Sequence, residues 1–268
     1  MQRTAPLLSA VALGALAACA STEASVDVTE TDVTSETAPD VDAEATTALD
    51  AELADDAEIE PPYEPTGDPF TMVLVRSVDE MKVPSRDELA TLTTAHAEFL
   101  RAMTEDGYLL AYGSIVPPRA EKNLRTMLIV DDADPNAALE RVSQDPSVQA
   151  GLFTCEPIRF ITRTDLKVLG ALERAELMER GSSAGRRPYV MAIAETSRAM
   201  TGQIKAVGEP LLFFGHCSGG VLDGYSFAML DARTVDEARS HTDAPTDAEE
   251  DPFTYHAWVA STSVDEID

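Results

Sequence analysis

Aromatic residues make up only 6% of the 268-residue sequence, with a single tryptophan, and it holds just three cysteines and four histidines. Three scattered cysteines exclude a disulfide-stapled miniprotein, so any folded part must be held together by an apolar core. No CxxC pair and no His/Cys cluster marks a metal site, and no motif calls for a cofactor. Positive charge is scarce as well. Twenty Lys and Arg face 48 Asp and Glu, a formal net charge of −28. Without a basic patch, nucleic acid is excluded as a partner. Long apolar runs are also missing: the stretch Leu7 to Leu16 is too short to span a bilayer.

What that stretch does offer is an address. Arg3 supplies a positive start, and the run ends in Leu16-Ala17-Ala18-Cys19. This resembles a bacterial lipoprotein signal, in which small residues precede a cysteine that is lipidated and becomes the mature N-terminus. The resemblance implies a signal peptide at 1–18 and acyl chains on Cys19, enough for stable anchoring in a membrane. Ala20, where Asp would direct retention, favours the outer membrane in a host that has one.

Residues 20–69 carry sixteen Asp or Glu and no Lys or Arg. One-signed charge and few large apolar side chains cannot bury enough surface to offset the entropy of ordering. This segment is expected to be a solvated tether, with Cys19 at its head and a folded region from residue 70. Of the remaining cysteines, Cys155 and Cys217 lie in apolar, strand-like runs. A disulfide between them and a pair of buried free thiols both fit that placement.

About 200 residues remain, and they repeat. "FTMVLVR" at 70–76 matches "YVMAIAE" at 189–195, and "LLAYG" at 109–113 matches "LLFFG" at 211–215. "MLIVDDAD" at 127–134 resembles "FAMLDART" at 227–234, and "FTCEPIRFIT" at 153–162 resembles "FTYHAWVAST" at 253–262. Four blocks in one order indicate a duplication. In the first copy, Phe70–Arg76, Leu109–Ile115, Leu124–Asp131 and Phe153–Thr162 read as strands. Leu89, Leu92, His96, Phe99, Leu100 and Met103 recur at helical spacing from Arg86 to Asp106, with Gly107 as a stop. Pro135–Gln144 reads as a second helix with proline in its first turn. The order βαββαβ predicts an α+β, ferredoxin-like sheet with both helices on one face.

The histidine in "HAEFL", the block "DGYLLAYG" and the run "QDPSVQAGLF" make residues 70–163 similar to a YCII-related domain, a ferredoxin-like module of the dimeric α+β barrel type. That resemblance implies sheet-to-sheet pairing, here supplied within one chain as a pseudo-dimeric barrel and hence a monomer. It also implies a catalytic pair, His96 on the first helix and Asp145 in the turn after the second. Family members with a known reaction use such a pair in eliminations on small chlorinated aromatic or lactone-like molecules. A carboxylate beside an imidazole orients it for proton transfer. His96 also falls on the apolar stripe of its helix, and Asp145 before Pro146 is equally a turn or helix-ending residue. Thr93 and Thr94 stand where the family usually has a basic residue, which argues against an anionic substrate.

The second copy, expected over 187–263 after a helical linker at 164–186 and before a tail at 264–268, is degenerate. Phe70 to Leu109 spans 39 positions, but Tyr189 to Leu211 only 22, and "SRAMTGQIKAV" holds no histidine. Asp243 near Pro245 echoes the Asp-Pro turn, while His216 and His256 read as structural. The leading expectation is therefore a lipid-anchored envelope protein that binds a small molecule or an envelope partner without catalysis. The alternative is a lyase- or isomerase-type enzyme using His96 and Asp145.

Overall fold

Along β1 (Asp68–Ser77), Phe70, Met72 and Leu74 point one way and Val73 and Val75 the other, and both sides are covered. A strand with two apolar faces must lie between two layers. The computed structural model describes residues 66–79, 84–181, 185–195, 210–242 and 252–266, all within one compact unit. After β1 come α1 (Arg86–Glu105), β2 (Leu109–Ile115), β3 (Leu124–Val130), α2 (Pro135–Val142), the single turn α3 (Pro146–Gln149) and β4 (Phe153–Thr162). The chain continues through α4 (Leu166–Arg180), β5 (Arg186–Glu195), β6 (Leu211–Ser218), β7 (Tyr225–Leu230), α5 (Val235–His241) and β8 (Thr254–Ser261).

The eight strands close into one barrel in the order β1-β3-β2-β8-β5-β7-β6-β4, and every ladder is antiparallel. Within the first four strands the order is β4-β1-β3-β2, and within the last four it is β8-β5-β7-β6. The pairings that join these two groups are short. β2 meets β8 from Gly113–Ala260 to Ile115–Trp258, and β4 meets β6 from Arg159–Ser218 to Thr162–Gly215.

A glycine sits at each join for a steric reason. A Cβ on Gly113 would lie 2.5 Å from the Trp258 ring, and one on Gly215 would lie 2.3 Å from the Phe160 ring. Each glycine thus makes room for an aromatic ring from the other group of strands. Those rings, with Phe213, Phe227, Tyr189 and the methionines 72, 127, 191 and 229, fill the interior. The barrel is a packed core rather than a channel.

Local signals explain the helices. Ser85 and Glu88 form a capping box at the start of α1, and Gly107 ends it with a φ of 84° that favours glycine. α1 and α2 lie on the outer face, where Leu100, Met103, Ala138 and Val142 pack on Val73, Leu128 and Val130. Two expectations change here. The segment expected as a linker does more than connect, because Leu166 and Leu169 of α4 belong to the barrel's interior cluster. A helix outside a sheet can reach the interior only over an end, so α4 closes one end of the barrel. The expected tail from 264 begins inside a 3-10 turn, Thr262–Glu266, and Val264 is buried in that same cluster.

Cys155 and Cys217 are both free thiols. Cys155 packs with the outer cluster and Cys217 with the interior one. Phe160, opposite Cys217, lies five residues along β4 from Cys155, about 16 Å at the usual strand rise, too far for a bridge.

Candidate functional site

Along α1 the apolar stripe splits between two clusters. Leu89 and Leu92 pack with Leu152 and Phe153, while Leu100 and Met103 pack with Val73 and Val130. His96 falls at the seam between the two, part-buried, with its side chain 20% exposed. Its Nδ1 lies 2.5 Å from Oδ2 of Asp145.

Asp145 is fixed from its other side. Oδ1 accepts from the Ser147 amide at 2.8 Å and from the Ser147 hydroxyl at 2.5 Å, so the carboxylate caps α3. Pro146 at the first position of α3 has no N–H to satisfy, which suits it to that place. Asp145 therefore begins the next helical turn and does not end α2, contrary to the helix-ending reading of the sequence. Burial, the largest influence on its carboxyl, raises its pKa. Hydrogen bonds and charge from His96, followed by the bonds from Ser147, outweigh burial and bring the pKa below the usual carboxylate range. An ionised Asp145 accepts a hydrogen bond from Nδ1–H of His96, which leaves Nε2 as the ring nitrogen without the proton.

Beside the pair is a niche of about 20 Å³, walled by Val75, Leu128, Val142, Val148 and Phe153. A space of that size holds roughly one water molecule. Cys155 also borders it, but burial and then the Asp145 charge push its thiol up to about 12, which makes it a poor nucleophile. Among the described residues, no Lys or Arg lines the niche. Thr93 is buried and donates its hydroxyl to the Leu89 carbonyl at 2.7 Å, and Thr94 does the same to Ala90 at 3.1 Å. An anion would find no counter-charge.

The other candidates lie elsewhere. His216 is buried, with Nδ1 3.1 Å from the Ser226 hydroxyl and the ring edge-on to Phe214. His256 points into the barrel from β8 at 1% exposure. Cys19, the "SRAMTGQIKAV" segment and Asp243 lie outside the described residues. Sequence reasoning missed Ser147, which positions Asp145 through two hydrogen bonds. The signal was present in Asp145-Pro146-Ser147, a helix-start pattern that also fits a simple turn.

Residues 70–162 match the family described as the YCII-related domain. No curated protein matches the chain. Among solved structures, the siroheme decarboxylase NirDL shares 15% identity over 74% of each chain, with a TM-score of 0.39. A putative monooxygenase from Lactobacillus acidophilus shares 12% over 72% of this chain and 93% of its own, with a TM-score of 0.39. A mutant chlorite dismutase from Candidatus Nitrospira defluvii, in complex with cyanide, shares 13% over 74% of this chain and 92% of its own, with a TM-score of 0.46.

Proposed function

We propose that this chain is a lipid-anchored envelope protein that holds a small uncharged molecule at the His96–Asp145 niche and moves a proton there, in a lyase- or isomerase-type reaction. The observation that carries the reading is the doubly fixed Asp145, which holds Nδ1 of His96 at the edge of a mostly apolar niche. His96 acts as the general acid or base, and Asp145 orients it. A base placed in this way contributes on the order of 10² to 10⁴ in rate. Small cyclic or chlorinated molecules suit the apolar, cation-free lining. Turnover of a panel of lactones and chlorinated aromatics, followed by elimination product or chloride release, tests the assignment. His96→Gln should abolish turnover while leaving the fold intact, with the thermal midpoint lowered by the lost Asp145 contact. Turnover that survives His96→Gln would overturn the proposal.

A second reading, binding without turnover, draws on Thr93 and Thr94, whose hydroxyls bond within their own helix and bring no cation to the niche. At about 20 Å³ the niche admits a ligand in either reading only if its walls shift outward. Saturable binding that perturbs the His96 ring resonances, with no product formed, would favour that reading.

We further propose that Cys19 carries the lipid, that the acidic residues 20–69 tether the barrel off the membrane, and that the two groups of strands are copies of one module. The shared strand order supports duplication. So do matching irregularities between Leu109 and Ala111 in β2 and between Leu211 and Phe213 in β6. Cys19→Ser should shift the chain from the membrane fraction to a soluble or unprocessed form.

A further inference from the structure

The barrel's two ends differ. α4 and Val264 close one, while the opposite end, where β1 and β5 finish and β4, β7 and β8 begin, holds a cavity of about 480 Å³. That volume lies in the range of small-molecule sites. It is separate from the His96 niche, which lies on the outer face of the sheet; the cavity is lined by interior-facing positions. Arg76 of β1, Glu156 of β4, Tyr225 of β7, Ile193 of β5 and His256 of β8 converge there, with Glu121 from the loop before β3.

The polar groups have an uneven balance. Arg76 donates Nη1 to Glu156 at 2.5 Å and Nη2 to Glu121 at 2.7 Å, and its Nε also reaches Glu121 at 3.3 Å. The guanidinium is therefore engaged on all sides and has little left for an anion. Two carboxylates against one guanidinium leave one negative charge in excess. Burial, the largest influence on His256, lowers its pKa and keeps it neutral, so it does not cancel that charge. The ring is 1% exposed, and its Nδ1 has no hydrogen-bond partner among the described residues. A buried ring nitrogen left unpaired calls for an explanation, and a bound ligand is one. Ile193, Val221 and Leu222 add an apolar wall. Among the described residues, no three His, Cys, Asp or Glu side chains gather closely enough for a metal ion.

We infer that this mouth of the barrel is a second binding site, for a small organic monocation. An ammonium group would sit against Glu121 and Glu156, and its alkyl portion against Ile193, Val221 and Leu222. The overall charge of −28 favours the approach of such a ligand.

Binding at the mouth is read directly by isothermal titration calorimetry. The full chain is titrated with n-butylammonium chloride and, separately, with sodium butyrate at equal ionic strength. Butylammonium should give a saturable change and butyrate none. Glu156→Gln should weaken butylammonium binding at least ten-fold, and Glu121→Gln, at a more exposed position, should weaken it in the same direction. His96→Gln should leave the titration unchanged, which separates this site from the proton-transfer niche. A saturable response to butyrate, no response to butylammonium, or unaltered affinity in both glutamate variants would overturn the inference.

Discussion

The first and last groups of four strands share a sheet order, yet one carries a helix with a histidine over its outer face and the other has seventeen fewer residues in which to build one. What both share is instructive. Each has an irregularity near the start of its second strand and a glycine at the join. These features serve the closure of the barrel, which needs contributions from both halves. The outer face of the second half is under no such demand. There the buried cluster is made mainly of small residues, Ala192, Ala194, Ala228, Ala232 and Ala238. Packing constrains the shared interior more tightly than the outer face.

Breaking the chain between the halves should have the largest effect. Residues 66–163 alone would leave β2 and β4 unpaired along one edge each and expose interior aromatics, so the fragment should self-associate in size-exclusion chromatography. A stable monomer would show that the halves are independent beads.

The joins come next. Gly215→Ala should cost about 1–3 kcal/mol by forcing a Cβ into the Phe160 ring, and Gly113→Ala should cost a similar amount against Trp258. Urea denaturation measures both. Combining Gly215→Ala with Phe160→Leu should recover part of the loss, because the two changes share one contact. Strict additivity would show that the clash is relieved elsewhere.

An effect of comparable size should separate the halves by pH. The folded-state pKa of Asp145 is depressed, so its stabilisation is complete above the unfolded value of about 3.9 and is lost as pH falls through the lower folded value. Asp145→Asn should lower stability by about 1–3 kcal/mol at neutral pH and remove this part of the acid dependence. An unchanged acid limb in urea melts of the variant would exclude Asp145 as its source.

The smallest effect is kinetic. Burial raises both thiols to about 12, yet Cys155 is part-exposed on the outer face and Cys217 is sealed in the interior. Iodoacetamide at pH 8 should label both slowly, with Cys155 first by mass spectrometry. Faster labelling of Cys217 would mean that the interior opens more readily than the outer face.

The first half was largely legible in the sequence because its periodicities are strong and its stops are explicit. β2 and β4 fall on the expected spans, and α1 ends at the expected glycine. From the sequence α4 reads only as a helical linker, because nothing local shows what covers Leu166 and Leu169. Their burial depends on the open end of a barrel formed by distant strands. The cluster at the barrel mouth escaped for the same reason. Arg76, Glu121, Glu156 and His256 come from four separate segments, and only closure of the ring brings them together. Asp145 was found through a resemblance. Its support from Ser147 was local and could have been read from the helix-start pattern.

A ring of strands completed inside a single polypeptide has no dissociation constant. Two separate modules pairing through the same joins would come apart on dilution, and their stability would depend on how many copies the cell makes. Here the second set of strands is held at a fixed effective concentration by α4 and the chain that follows it. The fold should therefore be as stable in a very dilute solution as in a concentrated one. Its melting temperature should not depend on protein concentration.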